Sequence, residues 1–192
     1  MSYRSLLKRI ASACDECRVP YMIIGGQAVM LHGEPRQTLD VDVTVQMSHQ
    51  NREEIELLLN KTGLRAVSPD VYRILEESLV LPVVDADSNI PVELIFSPYG
   101  FEEPVIKRAV VRGIDRVPVR FISAEDLIVY KIVAGRGRDL QDVQGILERK
   151  GDKLNLDQIE RDLKDIEEAT GSSDLLPRWN ELKANTKTGV RP

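Results

Sequence analysis

The sequence predicts an α+β protein: a sheet flanked by helices, followed by a C-terminal helical extension. Three observations lead there. Residues 21–45, YMIIGGQAVMLHGEPRQTLDVDVTV, read as strand, glycine turn, short helix, loop and second strand. Residues 79–85 and 90–96, LVLPVVD and IPVELIF, read as a hairpin around a turn at Asp87, Ser88 and Asn89. From residue 123 onward the recurring periods are helical. The expected organisation is a core over residues 1–122, a helical region over 123–184 packing on it, and a disordered tail over 185–192.

The elements can be justified in order. Residues 2–17 carry Leu6, Leu7, Ile10, Ala13, Cys14 and Cys17 at spacings of three and four, an amphipathic helix that Pro20 should end. Met22, Ile23 and Ile24 form a short apolar strand that stops at Gly25-Gly26, and Gln27 to Leu31 have helical composition. In the second strand Val41, Val43 and Val45 alternate with Asp40, Asp42 and Thr44, so two acids share one face. Residues 48–61 make a charged helix with Gly63 as its stop. Pro82 and Pro91 put the hairpin strands at an edge, or the prolines at a strand start. A short helix near residues 100–108 precedes strands at 110–112 and 117–121, interleaved with Arg112, Arg116 and Arg120. Ser123 opens a helix in capping-box style, Gly135 and Gly137 break it, and Asp139 is placed to cap the next. Two further helices follow, over 154–171 and near 173–183, the second containing the single tryptophan, Trp179.

Composition narrows the function classes. The chain has 192 residues, 42% apolar and 30% charged, an ordinary soluble balance, with no apolar run of membrane-spanning length and no signal-peptide core in MSYRSLLKRIASACDE. The cytoplasm is therefore expected. With 26 basic and 31 acidic residues the net charge is −5, which argues against broad nucleic-acid affinity but leaves room for a local RNA site. Cys14-x-x-Cys17 has no second pair and no nearby histidine, so it reads as part of a helix rather than a metal or redox site. His32 and His49 are the only histidines and lack metal-ligand partners in sequence, so a histidine-based mechanism is not expected.

Two features carry chemistry. Two acids on one strand face, roughly 7 Å apart at the backbone, can converge on a pair of divalent ions about 4 Å apart; the same alternation also describes the wet face of an edge strand. Paired glycines before a helix N-terminus form a phosphate cradle, because the backbone can approach an anion whose charge the helix end favours. Taken together, Gly25-Gly26, thirteen residues, then Asp40-Val41-Asp42 constrain each other.

This pattern resembles the signature of the DNA polymerase beta nucleotidyltransferase superfamily. Within it, GGQAVMLHGEPRQTLDVDV is similar to the small AbiEii-type nucleotidyltransferases, the toxin half of AbiE abortive-infection systems. Those proteins share Gly-Gly, Arg-x-Thr and Asp-x-Asp, matched here by Arg36 and Thr38, and a later run matched by Lys131, Ala134, Arg136, Asp139 and Asp142. The resemblance implies a mixed polymerase-beta-like sheet and transfer of a nucleoside monophosphate from an NTP such as ATP to a hydroxyl of a tRNA end, a protein or a small molecule. Two magnesium ions, replaceable by manganese, would be held by Asp40, Asp42 and a third carboxylate, for which Glu93 is the match although aspartate is usual. Gly25, Gly26, Arg36, Thr38 and Lys131 would bind the nucleotide, with Arg136, Asp139 and Asp142 in support. Asp85 and Asp87 are alternatives to Glu93. An antitoxin partner is implied by the same resemblance. Against this stands a non-catalytic nucleotide-binding or partner-binding module that retained the fold.

Overall fold

The computed structural model describes residues 2–97 and 102–188. In chain order its elements are α1 (Tyr3–Cys17), β1 (Tyr21–Ile23), α2 (Gly25–His32), β2 (Val41–Val45), α3 (Arg52–Thr62), β3 (Leu64–Ala66), α4 (Val71–Ser78), β4 (Val80–Asp85) and β5 (Pro91–Phe96). Then come α5 (Glu103–Lys107), β6 (Val110–Ile114), β7 (Val117–Phe121), α6 (Ala124–Ala134), α7 (Gly137–Lys150), a 3-10 turn (Gly151–Lys153), α8 (Leu156–Thr170) and α9 (Leu175–Thr188). The chain divides into two compact units, Met1–Gln27 with Gln37–Ile122, and Ala28–Arg36 with Ser123–Pro192. Among the described residues no helix is long and apolar enough to cross a membrane.

The first unit is built on a seven-stranded mixed sheet of order β3-β4-β5-β2-β1-β7-β6. β2 lies parallel to β5 and antiparallel to β1, and β1 is parallel to β7. One face is buried from strand to strand through Tyr21, Ile23, Val41, Val43, Val45, Leu81, Val83, Val92, Leu94 and Phe96. Helix α1 supplies Leu6, Leu7, Ile10 and Cys14 to this core, and its Arg9 ion-pairs with the fully buried Asp85 and with Asp87 at 2.8 Å. Asp85 also accepts from Ser88, so both alternatives to Glu93 are occupied structurally. Cys14 and Cys17 are free thiols on α1, and burial pushes Cys14 up to about 12, which removes it from thiolate chemistry.

Several expectations are corrected here. α1 ends at Arg18, which takes the left-handed conformation at φ 57°, two residues before Pro20. The segment β3–α4 has no counterpart in the sequence reading, because a three-residue strand and an eight-residue helix burying Val71 and Leu75 are too short to show a period. β4 is not an edge strand. Pro82 is tolerated there because β3 pairs only with Val83, Val84 and Asp85, so the ladder has already ended where the missing N–H would be needed. Part of the helix expected near 100–108 lies outside the described residues; α5 covers Glu103–Lys107. β6 extends to Ile114, and Arg120 pairs with Asp15 at 2.8 Å.

The second unit is helical. Ser123 caps α6 by accepting the Asp126 N–H, Asn155 caps α8 by accepting the Gln158 N–H, and Gly135 and Gly171 close helices in left-handed conformations. Ile128, Ile132, Val143, Ile146, Ile159, Leu163 and Trp179 form its core, each fully buried. Trp179 donates its indole N–H to Glu160 at 3.3 Å, and Lys183 reaches both that carboxylate and the indole ring. α9 runs on to Thr188, so residues 185–188, expected to be disordered, are helical; residues 189–192 lie outside the described part. Trp179→Ala should cost about 3–5 kcal/mol through the cavity it leaves. Thermal unfolding is expected to show a clear fall in melting temperature.

Candidate active site

The acids meet through strand register. In the parallel β2–β5 ladder Asp42 is directly opposite Glu93, and Glu93 is in turn opposite Pro82 on β4. Paired residues point to the same face, and adjacent strands lie about 4.8 Å apart, so the two carboxylates stand side by side on the face opposite the buried core. Asp42 is half-buried and Glu93 exposed. Thr44, expected beside them on a wet face, is fully buried.

Gly25 belongs to the same place. It has φ +59°, and a Cβ built on it would lie 1.6 Å from the Asp42 Oδ2. Glycine takes this conformation without strain, and only glycine leaves room for this approach. A Cβ on Gly26 would lie 2.3 Å from Thr38 Oγ1, so the second glycine is held against the loop that precedes β2. Helix α2 begins at Gly25, two residues earlier than expected. Asp40 is not on the strand: β2 starts at Val41, and the exposed Asp40 carboxylate accepts the Thr38 hydroxyl at 2.7 Å. Leu39, between them, is 68% exposed, an apolar side chain beside the acids that the sequence reading did not single out.

The remaining motif residues gather in the second unit. Arg36 forms a forked pair with Asp142, Nε to Oδ1 at 2.7 Å and an amino nitrogen to Oδ2 at 2.9 Å. Lys131 Nζ lies 2.6 Å from Asp139 Oδ1 and 2.9 Å from Asp142 Oδ2. Arg136 is exposed and reaches Asp139 only at 4.0 Å. Asp139 therefore turns to Lys131 and does not cap α7, whose first flanking residue is Arg136. Burial alone would raise the Asp142 pKa, but hydrogen bonds from Arg36 and Lys131, with their charges, hold it below its ordinary 3.8. The Arg36–Asp142 bond spans 106 positions, which is why neither motif shows it in sequence.

Among the described residues no group of three His, Cys, Asp or Glu side chains is arranged to hold a metal ion. Asp42 and Glu93 supply two neighbouring carboxylates, while Asp40 is turned onto Thr38. Two carboxylates fit magnesium, which usually completes its shell with waters and substrate phosphates.

Two outcomes follow from this geometry. Gly25→Ala should lose about 1–2 kcal/mol from the left-handed backbone alone and displace the Asp42 carboxylate, so thermal unfolding should show a lower melting temperature than wild type. The depressed Asp142 pKa contributes stability that is present above about pH 4 and is lost as pH falls through its folded value. Denaturant unfolding at neutral and acid pH should show a shallower acid loss for Asp142→Asn than for wild type.

The sequence matches the family described as "Nucleotidyltransferase of unknown function (DUF6036)" over residues 4–187. No curated protein matches it. Among solved structures, the fold is similar to the antibiotic-resistance factor ANT(2'')-Ia in complex with adenylyl-2''-tobramycin, at TM-score 0.57 and 19% identity, covering 90% of this chain and 100% of that one. The solution structure of the same factor gives TM-score 0.57 at 17% identity, covering 88% and 92%. An antigenic nucleotidyltransferase-like protein from Paracoccidioides brasiliensis gives TM-score 0.53 at 18% identity, covering 94% and 92%. The mixed sheet, the C-terminal helices and the family match agree with the superfamily that the motifs resemble: the chain belongs to this nucleotidyltransferase family and is a nucleotidyltransferase.

Proposed function

We propose that the protein transfers a nucleoside monophosphate from a nucleoside triphosphate to a hydroxyl, at the face carrying Asp42 and Glu93. The observation that carries this reading is the Asp42–Glu93 pairing with the Gly25 backbone pressed against the Asp42 carboxylate. Asp42, Glu93 and, after release from Thr38, Asp40 would hold divalent magnesium, or manganese in its place, which supplies charge neutralisation on the triphosphate. The Gly25-Gly26 turn and the first N–H groups of α2 bind phosphate oxygens. Glu93, exposed and next to Asp42, accepts the proton of the attacking hydroxyl. The oxygen forms its bond to the α-phosphorus in line while the bond to the β-phosphate oxygen breaks, and pyrophosphate leaves with the electron pair. Arg36 and Lys131 then act through their ion cluster rather than on phosphate.

The acceptor is a hydroxyl of RNA, protein or a small molecule, and the reaction runs in the cytoplasm on ATP or another NTP. The product named for ANT(2'')-Ia, adenylyl-2''-tobramycin, supports a small-molecule acceptor. A toxin role with an antitoxin partner is the finer version of the RNA or protein case. The second reading, a binding module without turnover, draws on Glu93 standing where aspartate is usual and on the lack of a gathered three-carboxylate group among the described residues.

Label transfer from each α-labelled nucleoside triphosphate, with magnesium or manganese, into total RNA, total protein and an aminoglycoside panel tests the first reading. Wild type is expected to transfer label and Asp42→Asn to fall by at least about a hundredfold. Glu93→Asp should retain transfer; activity in that variant alone would establish the degenerate site instead.

A further inference from the structure

We propose that the outer edge of β6 is a docking site for an extended acidic segment of another protein, which adds a strand to the sheet with a carboxylate opposite Arg112. Among the described residues β6 ends the sheet beyond β7, and its Val111, Arg112 and Gly113 are exposed. The hairpin shows which backbone groups face outward. β6 and β7 are joined by Asp115 and Arg116, both at positive φ, 47° and 72°, the two-residue turn that matches strand twist. Such a turn closes on a hydrogen-bonded pair, here Ile114 with Val117, and the ladder then alternates. Arg112 bonds to Val119, while Val111 and Gly113 turn their N–H and C=O groups away from β7. Three observations agree. Gly113 stands opposite Pro118, which has no N–H to give. Arg120, opposite Val111, donates its N–H to the Tyr21 hydroxyl at 3.2 Å. The Val111 carbonyl accepts from the Arg112 guanidinium at 3.2 Å, on the outer side. The tip of the hairpin is fixed from α1, where Arg4 and Lys8 pair with Asp115 at 2.7 and 3.0 Å. A held strand with outward N–H and C=O groups is a template for a further strand.

Charge selects the occupant. A second copy using both Val111 and Gly113 in an antiparallel ladder would set each Val111 against the other copy's Gly113. The two Arg112 side chains would then stand directly opposite, in the non-hydrogen-bonded position where Cα atoms approach to about 4.5 Å. Like charges there are destabilising. A glutamate or aspartate in that position gives an opposite-charge pair instead, and drawing Arg112 onto it releases the Val111 carbonyl to the new ladder. Arg116, exposed at the turn, adds positive charge at the same end of the edge.

Amide NMR spectra of the full chain test this, titrated with blocked peptides of about nine residues that alternate threonine and valine around a central glutamate or a central lysine. The glutamate peptide is expected to shift the amides of residues 110–114 and to bind about tenfold more tightly than the lysine peptide. Arg112→Glu should reverse that order. Val111→Pro removes an outward N–H without touching the β7 ladder, so binding should be lost while the melting temperature stays near that of wild type. No shifts at residues 110–114, or equal affinity for the two peptides, would overturn the proposal. So would a wild-type dimer in sedimentation that Val111→Pro dissociates, because the occupant would then be a second copy. Single-stranded RNA shifting the same amides while the glutamate peptide leaves them unmoved would overturn it as well.

Discussion

The approach of the Gly25 backbone to the Asp42 carboxylate is the constraint on which the site depends. A side chain at residue 25 would occupy the space of that carboxylate, and the positive φ that turns β1 into α2 favours glycine. The turn therefore serves three ends at once. It stops the first strand, starts a helix, and brings the backbone against the acid that β2 presents.

The sheet does the rest by register. Because β2 and β5 run parallel, Asp42 and Glu93 come together without any loop carrying either one, so their spacing is as rigid as the ladder. Below them the buried face is continuous, anchored by α1 and by the ion pair of Arg9 with Asp85. A polar face over a packed core is a stiff platform. Asp40 differs, since it lies outside the ladder and owes its position to Thr38.

What could be read in the sequence was local. The helix stops at Gly63, Gly135 and Gly171 each express a preference of a few neighbouring residues, and each appears as expected; the β2 alternation holds at Asp42 but not at Thr44, which is buried, or at Asp40, which precedes the strand. What could not be read was relational. Pro82 suggested an edge strand because nothing in β4 records how short its neighbour β3 is. The ion pairs of Arg36 and Lys131 could not be read either, because a cation in a motif does not announce a partner about a hundred positions away, or a helical turn beyond a glycine. Asp139 looked like a cap for the same reason. The continuation of α9 through Asn185 and Thr186 shows the reverse case, a polar stretch without a period that stays helical.

The residues between the end of α2 and Asp40 take on a different character in this light. Exposed loops with proline and glycine are normally where insertions are absorbed. This one is pinned to Ile146 and Arg149 at Gly33, to Asp142 at Arg36, and to Gly26 and Asp40 at Thr38. Between its pins it has one or two residues of slack. Residues 33–36 are held within one unit and Thr38 within the other, so this stretch leaves few positions at which an inserted residue could be taken up.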